Sequence, residues 1–345
     1  MPKLAISINE CMAGMLVAES VRDFNSGLIY VGENQELTLD SIETLKRLNF
    51  TEVSIFVNTW DDVWKVPKET MNSYKKSVDD LRVLFDDIAN NNSVGYESFK
   101  DIKQDMQVTF KDNYKIIGCI NAFEQIDNYT YTHSINVALL SMLIGKWMKY
   151  GEQMIDSLVM AGLLHDIGKM KIDPNILNKP DKLTEKEFEE VKQHSRYSYE
   201  LLQSNNEINL DIKVGILMHH EKMDGSGYPY GVYSENINDI AKVLAVADVY
   251  DAMISERPYQ KKHSPFDVMQ LMQEGVFGKL DTKILLTFLT NIASYYIGTY
   301  VTLSDGQIGE VVAINPACVY RPIVKVQSKY INLYTDHSLD IVELS

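Results

Sequence analysis

At 345 residues the chain is long enough for two or three domains and a sizeable core. With 45% hydrophobic and 23% charged residues it has the composition of a globular protein, not a disordered or fibrous one. A formal net charge of −15 argues against broad binding to DNA or RNA polymers or to anionic membrane surfaces. An anionic substrate would have to be held by bound cations or by a few local Lys and Arg.

Residues 1–65 read as a small α+β module. Asn25-Ser26-Gly27 is a turn signal, Leu28-Ile29-Tyr30-Val31 is rich in strand formers, and Val53 to Val57 is a second β-type run. Between them Leu39, Ile42, Leu45 and Leu48 recur at helical spacing from Thr38 to Leu48. Pro67 can open a helix, in which Val78, Leu81, Phe85 and Ile88 make an apolar stripe. Asn90-Asn91-Asn92-Ser93 interrupts it, and a second amphipathic stretch runs from Tyr96 toward Ile126. We read 66–110 as a helical linker, and the helices of 67–126 as packing surfaces that also offer a homodimer contact.

From Asp127 to about Ile297 the pattern is almost wholly helical. Helices are expected over His133 to Met148, Gln153 to Asp166, Thr184 to Leu202, Asp211 to Glu221, Asp239 to Ile254 and Pro265 to Glu274. Thr184 with Glu187 makes a capping-box signature. The apolar stretch Ile284 to Ile297 is too short for a membrane span and reads as a buried helix, so no membrane insertion is expected. Residues 298–345 turn to strand-like runs at Tyr300-Val301, Gly309 to Ile314 and Ile323 to Val326, a short β-rich appendage. Cys11, Cys119 and Cys318 are widely spaced and odd in number, so no disulfide framework follows. With no basic start leading into an apolar run, the expected location is the cytoplasm.

Metal-capable side chains recur through the helical region: His133, His165-Asp166, His194, His219-His220 and Asp248. Imidazoles and carboxylates together are the ligand set of iron, manganese, zinc and nickel. Seven such groups exceed one tetrahedral or octahedral shell and suit two ions sharing a bridging carboxylate. Gly168 allows a tight turn from which Lys169 can reach the same pocket. His219 and His220, a quarter-turn apart on a helix, can meet one ion at a fraying end, where Gly225 and Gly227 announce a loop. Asp248, within the apolar run Val243 to Val249, needs a cation or donors to offset its desolvation. Asp251, three residues on, shares its helical face and is as suited to orienting a neighbour as to binding metal. A single histidine such as His194 is unremarkable on its own. For chance to explain the array, five of the seven histidines and two aspartates would have to coincide in one helical region. His263 and His337 lie outside the pattern.

Several long runs in order resemble the HD-GYP family, a branch of the HD phosphohydrolases. They are Asp127-Asn128-Tyr129-Thr130 before His133-Ser134, His165-Asp166-Ile167-Gly168-Lys169, and the unbroken signature His219-His220-Glu221-Lys222-Met223-Asp224-Gly225-Ser226-Gly227-Tyr228-Pro229. Val246-Ala247-Asp248-Val249-Tyr250-Asp251-Ala252 and Ser255-Glu256-Arg257-Pro258-Tyr259 complete the match. The resemblance implies a mainly α, HD-type helical bundle with a dinuclear metal site over 111–297, flanked by the α+β module and the β-rich appendage. It implies a phosphodiesterase acting on cyclic di-GMP to give linear pGpG and, on further hydrolysis, GMP, with two divalent ions, iron or manganese. His133, His165, Asp166 and Asp248 would hold one ion, and Asp166 would bridge to a second held by His194, His219 and His220. Lys169 and Arg257 match positions that contact substrate phosphate, and Tyr228 one that meets the nucleotide. Among these residues we give Lys169 the charge growing on phosphate and Asp251, or a water, the leaving-group proton.

The chain departs from the family at three places. Tyr129 stands where some members place a third-metal glutamate, so two ions are expected; Gln260 replaces a sometimes basic position beyond Arg257; Ser195 replaces the proline common after the third ligand histidine. Other readings are a hydrolase of a mixed cyclic dinucleotide such as cyclic GMP-AMP, a mononucleotide hydrolase, and a catalytically silent cyclic-dinucleotide receptor.

Overall fold

A computed structural model describes residues 3–9, 11–22, 28–33, 35–56, 66–91, 96–122, 129–254, 264–275 and 278–344. They fall into two compact units, Met1–Val66 with Ser294–Ser345, and Pro67–Ala293.

The first unit opens with β1 (Lys3–Ser7), β2 (Leu16–Val17), β3 (Val21–Arg22) and β4 (Ile29–Val31), then α1 (Leu39–Arg47) and β5 (Glu52–Phe56). β5 is central, antiparallel to both β1 and β2, with Lys3 opposite Phe56 and Ser7 opposite Glu52, while β3 and β4 pair separately. Alternation along β5 buries Val53 and Ile55, and the three-residue spacing of Ile42 and Leu45 brings α1 into the same small core. Thr38 and Ser41 cap α1 reciprocally, which fixes where the chain enters it.

The second unit runs through α2 (Lys68–Asn91), α3 (Tyr96–Thr109), α4 (Asn113–Ala122), α5 (Tyr129–Trp147) and α6 (Glu152–Leu164). A 3-10 turn (Ile167–Lys171) and the short α7 (Pro174–Leu177) lead to α8 (Glu185–Lys192), α9 (His194–Gln203) and α10 (Leu210–Leu217). α11 (Asp239–Ile254), α12 (Pro265–Gln270) with a π turn (Leu271–Gly275), and α13 (Thr282–Ser294) complete it. A helix apolar on every side belongs in the middle of a bundle. α5 is buried on every face from Ile135 through Leu140, α6 buries Leu158 through Leu164, and α11 buries Ile240 through Ala247 except Lys242. α5 and α6 approach closely because Gly162 lies against the Ala138 backbone, where an added Cβ would sit 2.5 Å from Cα. The polar groups these buried helices carry are therefore conspicuous, and they are the candidate ligands.

Residues 66–110, read as a linker, fold into helices of this same unit. Val78, Leu81, Phe85 and Ile88 are buried within one chain, with the Phe85 ring 5.7 Å from Tyr131 on α5. That stripe is thus engaged in packing within the unit. Two expected helices come out shorter or broken. Thr184 to Leu202 divides at Gln193, so that His194 begins α9, and the helix expected to reach Glu221 stops at Leu217. The capping box of Thr184 and Glu187 is formed.

After α13, whose Ile284, Leu285, Phe288 and Ile292 are buried, the chain makes β6 (Tyr300–Leu303), β7 (Ile308–Asn315), β8 (Cys318–Val326), β9 (Lys329–Asn332) and β10 (Ile341–Leu344). They form one antiparallel sheet in the order β10-β6-β7-β8-β9. Arg321 pins the chain before β10 by donating to the Leu333 and Leu339 carbonyls and pairing with Asp340. Among the described residues no helix is long and apolar enough to cross a membrane.

Candidate metal centre

Five separate elements deliver the site. His133 comes from α5, His165 caps the C-terminus of α6 and Asp166 follows it, His194 starts α9, His219 and His220 follow the end of α10, and Asp248 and Asp251 lie on α11. The 3-10 turn is held to α9 by close backbone approach. A Cβ on Gly168 would lie 2.1 Å from the His194 carbonyl oxygen and 2.4 Å from the Ser198 nitrogen. Glycine is needed there for proximity, not for the turn conformation expected from sequence. Ser198 stitches the contact, its Oγ accepting from Gly168 N–H at 2.8 Å and donating to the His165 carbonyl at 2.7 Å.

Two clusters result, His133, His165 and Asp166, and His194, His219 and His220, each with ligand atoms within 4.8 Å of one another. Three imidazoles are aimed by the same device: Nδ1 of His165, His194 and His219 donates to the carbonyl three residues earlier, at 2.8, 2.7 and 2.6 Å. His133 Nδ1 instead donates to Asp251 Oδ2 at 2.7 Å. Each Nε2 is thereby left with a lone pair facing inward, the form a metal requires. Those lone pairs converge: His133 Nε2 is 3.3 Å from His165 Nε2, and His194 Nε2 is 3.3 Å from His219 and 3.1 Å from His220. Two acceptors at that separation repel unless a cation or proton lies between them. Nitrogens on one ion at about 2.0–2.1 Å stand roughly 3.0–3.4 Å apart in tetrahedral or octahedral shells, so the donor set fits. Asp166 straddles the clusters, with Oδ2 3.3 Å from His165 and 3.5 Å from His133, and Oδ1 3.5 Å from His194. Asp248 lies 3.0 Å from His133 Nε2 through Oδ1 and 3.7 Å from His220 Nδ1 through Oδ2.

The electrostatics favour a divalent cation at this donor set. Burial resists ionisation of Asp166, but His165, Lys169 and His194 outweigh it and hold the carboxyl well below the usual range. Asp248 is likewise held low, burial being overcome by the closeness of His133 and the other imidazoles. Burial pushes His194 down to about 4 and His220 to about 3, with Asp166 and Asp248 respectively opposing it. Burial, helped by His220, pushes His219 well down too. Neutral imidazoles beside ionised carboxylates are the state that binds divalent cations.

Around the clusters lie the residues expected to meet substrate. Lys169 Nζ is 2.5 Å from Asp166 Oδ2 and remains partly exposed. The Tyr228 ring lies against His220, centroids 4.6 Å apart, with Lys192 Nζ 5.7 Å from its own centre. Arg257 lies outside the described residues, as does His263. Asp251 needs correction. It is fully buried behind His133, accepting also from Asn136 Nδ2 at 2.7 Å, so it orients that imidazole and has no surface from which to protonate a leaving group.

Three contributors escaped the sequence reading. Glu221, buried inside the signature, accepts from the backbone nitrogens of Tyr230, Gly231 and Val232 at 2.7, 3.1 and 3.2 Å, folding the Gly-Tyr-Pro loop back onto the histidine pair. A Cβ on Gly227 would lie 2.4 Å from the Glu221 Cα, which closes the same fold. A carboxylate within an otherwise intact motif was the available signal. Asn136, three residues after His133 and so on its helical face, was a weaker one. Tyr74, whose hydroxyl donates to Asn136 Oδ1 at 2.5 Å, gave none, because it reads as one more member of the apolar stripe on α2.

Residues 123–284 match a family model described as HD domain. They resemble the HD-GYP branch of such proteins, on the unbroken run from His219 to Pro229, which forms one loop against the histidines. The chain is 36% identical over 200 residues to a cyclic di-GMP phosphodiesterase of Pseudomonas aeruginosa, covering 58% of this chain and 48% of that protein. It is 33% identical over 180 residues to the 3'3'-cGAMP-specific phosphodiesterase 1 of Vibrio cholerae, covering 51% and 41%. A solved HDG"Y"P protein from Bdellovibrio bacteriovorus shares the fold at a TM-score of 0.54 and 14% identity, covering 84% of this chain and 99% of that one. The chain spans about half the length of the curated relatives it matches.

Proposed function

We propose that the protein is a metal-dependent phosphodiesterase that hydrolyses cyclic di-GMP to linear pGpG and, on further hydrolysis, GMP. The observation that carries this reading is the pair of inward-facing Nε2 clusters joined by the two oxygens of Asp166. His133, His165, Asp166 and Asp248 would hold one divalent ion, and Asp166, His194, His219 and His220 the other, iron or manganese being the expected metal. The ions would supply Lewis acidity and a water acidic enough to attack phosphorus near neutral pH. The protein's own part is positional. Carbonyl-anchored Nδ1 groups hold three ligand rings, His165, His194 and His219, in one tautomer, Asp251 does so for His133, and the Glu221-pinned loop holds Tyr228 against the cleft to meet a guanine base. Lys169 would contact a non-bridging phosphate oxygen and Arg257 would fork onto another.

We take 111–297 as the hydrolase domain and the cytoplasm as its location, the three cysteines being buried and joined in no disulfide. A second reading, hydrolysis of 3'3'-cGAMP, is favoured by the relative in Vibrio cholerae that acts on it. The test is metal analysis of anaerobically purified protein together with product chromatography from both dinucleotides. Two ions per chain and faster turnover of cyclic di-GMP are expected. A protein holding no divalent metal, or one that binds both dinucleotides and cleaves neither, refutes catalysis.

A further inference from the structure

We infer that Tyr74 is a positioning residue of the metal centre, acting through Asn136 and Asp251 to fix the tautomer and aim of His133. This rests on the metal-centre reading given above. Tyr74 lies on α2, outside the 123–284 segment that matches the HD domain, yet it ends a buried chain that reaches a ligand nitrogen. Its hydroxyl donates to Asn136 Oδ1 at 2.5 Å, Asn136 Nδ2 donates to Asp251 Oδ1 at 2.7 Å, and Asp251 Oδ2 accepts from His133 Nδ1 at 2.7 Å. All four side chains are essentially excluded from solvent.

The chain has one consistent polarity. An ionised carboxylate can only accept, so Asn136 must turn its NH2 to Asp251, and its oxygen is left for a donor. The Tyr74 hydroxyl is that donor. A phenylalanine would fill the stripe of α2 equally well, since Val78, Leu81, Phe85 and Ile88 need nothing polar beside them. A buried hydroxyl costs free energy unless bonded, and here its bond leads to His133, aimed by a carboxylate where His165, His194 and His219 are aimed by backbone carbonyls. Without the hydroxyl, Asn136 Oδ1 loses this buried donor and the amide is no longer anchored at that end. An amide free to shift would hold Asp251 less firmly, and the carboxylate would fix Nδ1–H of His133 less well.

The test uses the full chain and Mn²⁺, titrated in competition with a chromophoric chelator. Tyr74→Phe should bind two ions, one with affinity lowered about tenfold, as for loss of an outer partner of a ligand, the other as in the wild type. Its kcat should fall with KM unchanged, and its far-ultraviolet circular dichroism should match the wild type. Asn136→Ala severs the same chain one link later and should weaken the same ion. In that background Tyr74→Phe should add nothing. Wild-type affinity for both ions in Tyr74→Phe overturns the inference, as does an undiminished effect of Tyr74→Phe in the Asn136→Ala background. If Tyr74→Phe does not fold, Asn136→Ala decides alone, wild-type affinity overturning the inference. These results are separable from the functional reading, which fails only if the wild type itself binds no Mn²⁺ pair or cleaves no cyclic dinucleotide.

Discussion

Asp166 is the residue on which both clusters depend, one oxygen facing each. Asp166→Ala should therefore leave fewer than one ion per chain and lower turnover by about a hundredfold or more, since even outer partners of ligands account for ten- to a hundredfold. Elemental analysis with product chromatography measures both, and two retained ions would contradict the assignment. Glu221 acts differently. Its carboxylate accepts three backbone N–H bonds, and Glu221→Gln keeps acceptor capacity on one side while presenting an NH2 on the other. We expect a loss of about 1–3 kcal/mol in stability and a raised KM with kcat little changed, because Tyr228 is carried on the loop it pins. Thermal unfolding and steady-state kinetics read the two effects.

At the scale of elements, the site is a set of helix ends brought together by close backbone contacts. The 3-10 turn and α9 touch at Gly168, and the elements on either side carry Asp166, Lys169 and His194. Gly168→Ala must push them apart, because backbone atoms within 2.1 and 2.4 Å cannot rotate away as a side chain could. The expected outcome is a stability loss of at least about 3 kcal/mol together with weakened metal binding, seen in the melting temperature and the metal content. Breaks in helices matter as much as helices. The division at Gln193 and the stop at Leu217 are what turn His194, His219 and His220 inward, and neither was visible as hydrophobic periodicity. Capping signals did read correctly: Thr184 with Glu187 marked the true start of α8.

At the scale of the whole molecule, folding buries imidazoles and carboxylates that only a cation reconciles. Removing metal should lower the melting temperature, and the apo protein should become acid-sensitive in a defined window. His194 and His220 fall to about 4 and about 3, against an ordinary value near 6.5. As pH drops below about 6.5 the unfolded chain takes up protons that the folded chain refuses, so folding weakens, by on the order of 3 kcal/mol for His194 alone by about pH 4. The carboxylates act in the same direction only lower down: Asp166 and Asp248, held below the usual range, add stability that is lost once pH passes under about 4. Melting temperatures of chelator-treated protein should thus be flat above pH 7 and fall between 6.5 and 4. A flat profile across that window would show the imidazoles to be solvated.

Residue identity and order were enough to list the candidate ligands, for their likeness to the HD-GYP runs, for the mainly α region and for most helix positions. That is because imidazole chemistry, apolar periodicity and capping are local properties, written in a few neighbouring residues. Only the tertiary structure decided which oxygen of Asp166 faces which cluster, that Asp251 stands behind His133, that Glu221 holds the loop, and that Tyr74 reaches the site from α2. Apart from Glu221, which meets backbone nitrogens nine to eleven residues on, these are meetings of side chains from separate elements, 118 residues apart for His133 and Asp251. Such meetings follow from how the apolar helices α5, α6 and α11 pack together, which no local pattern encodes.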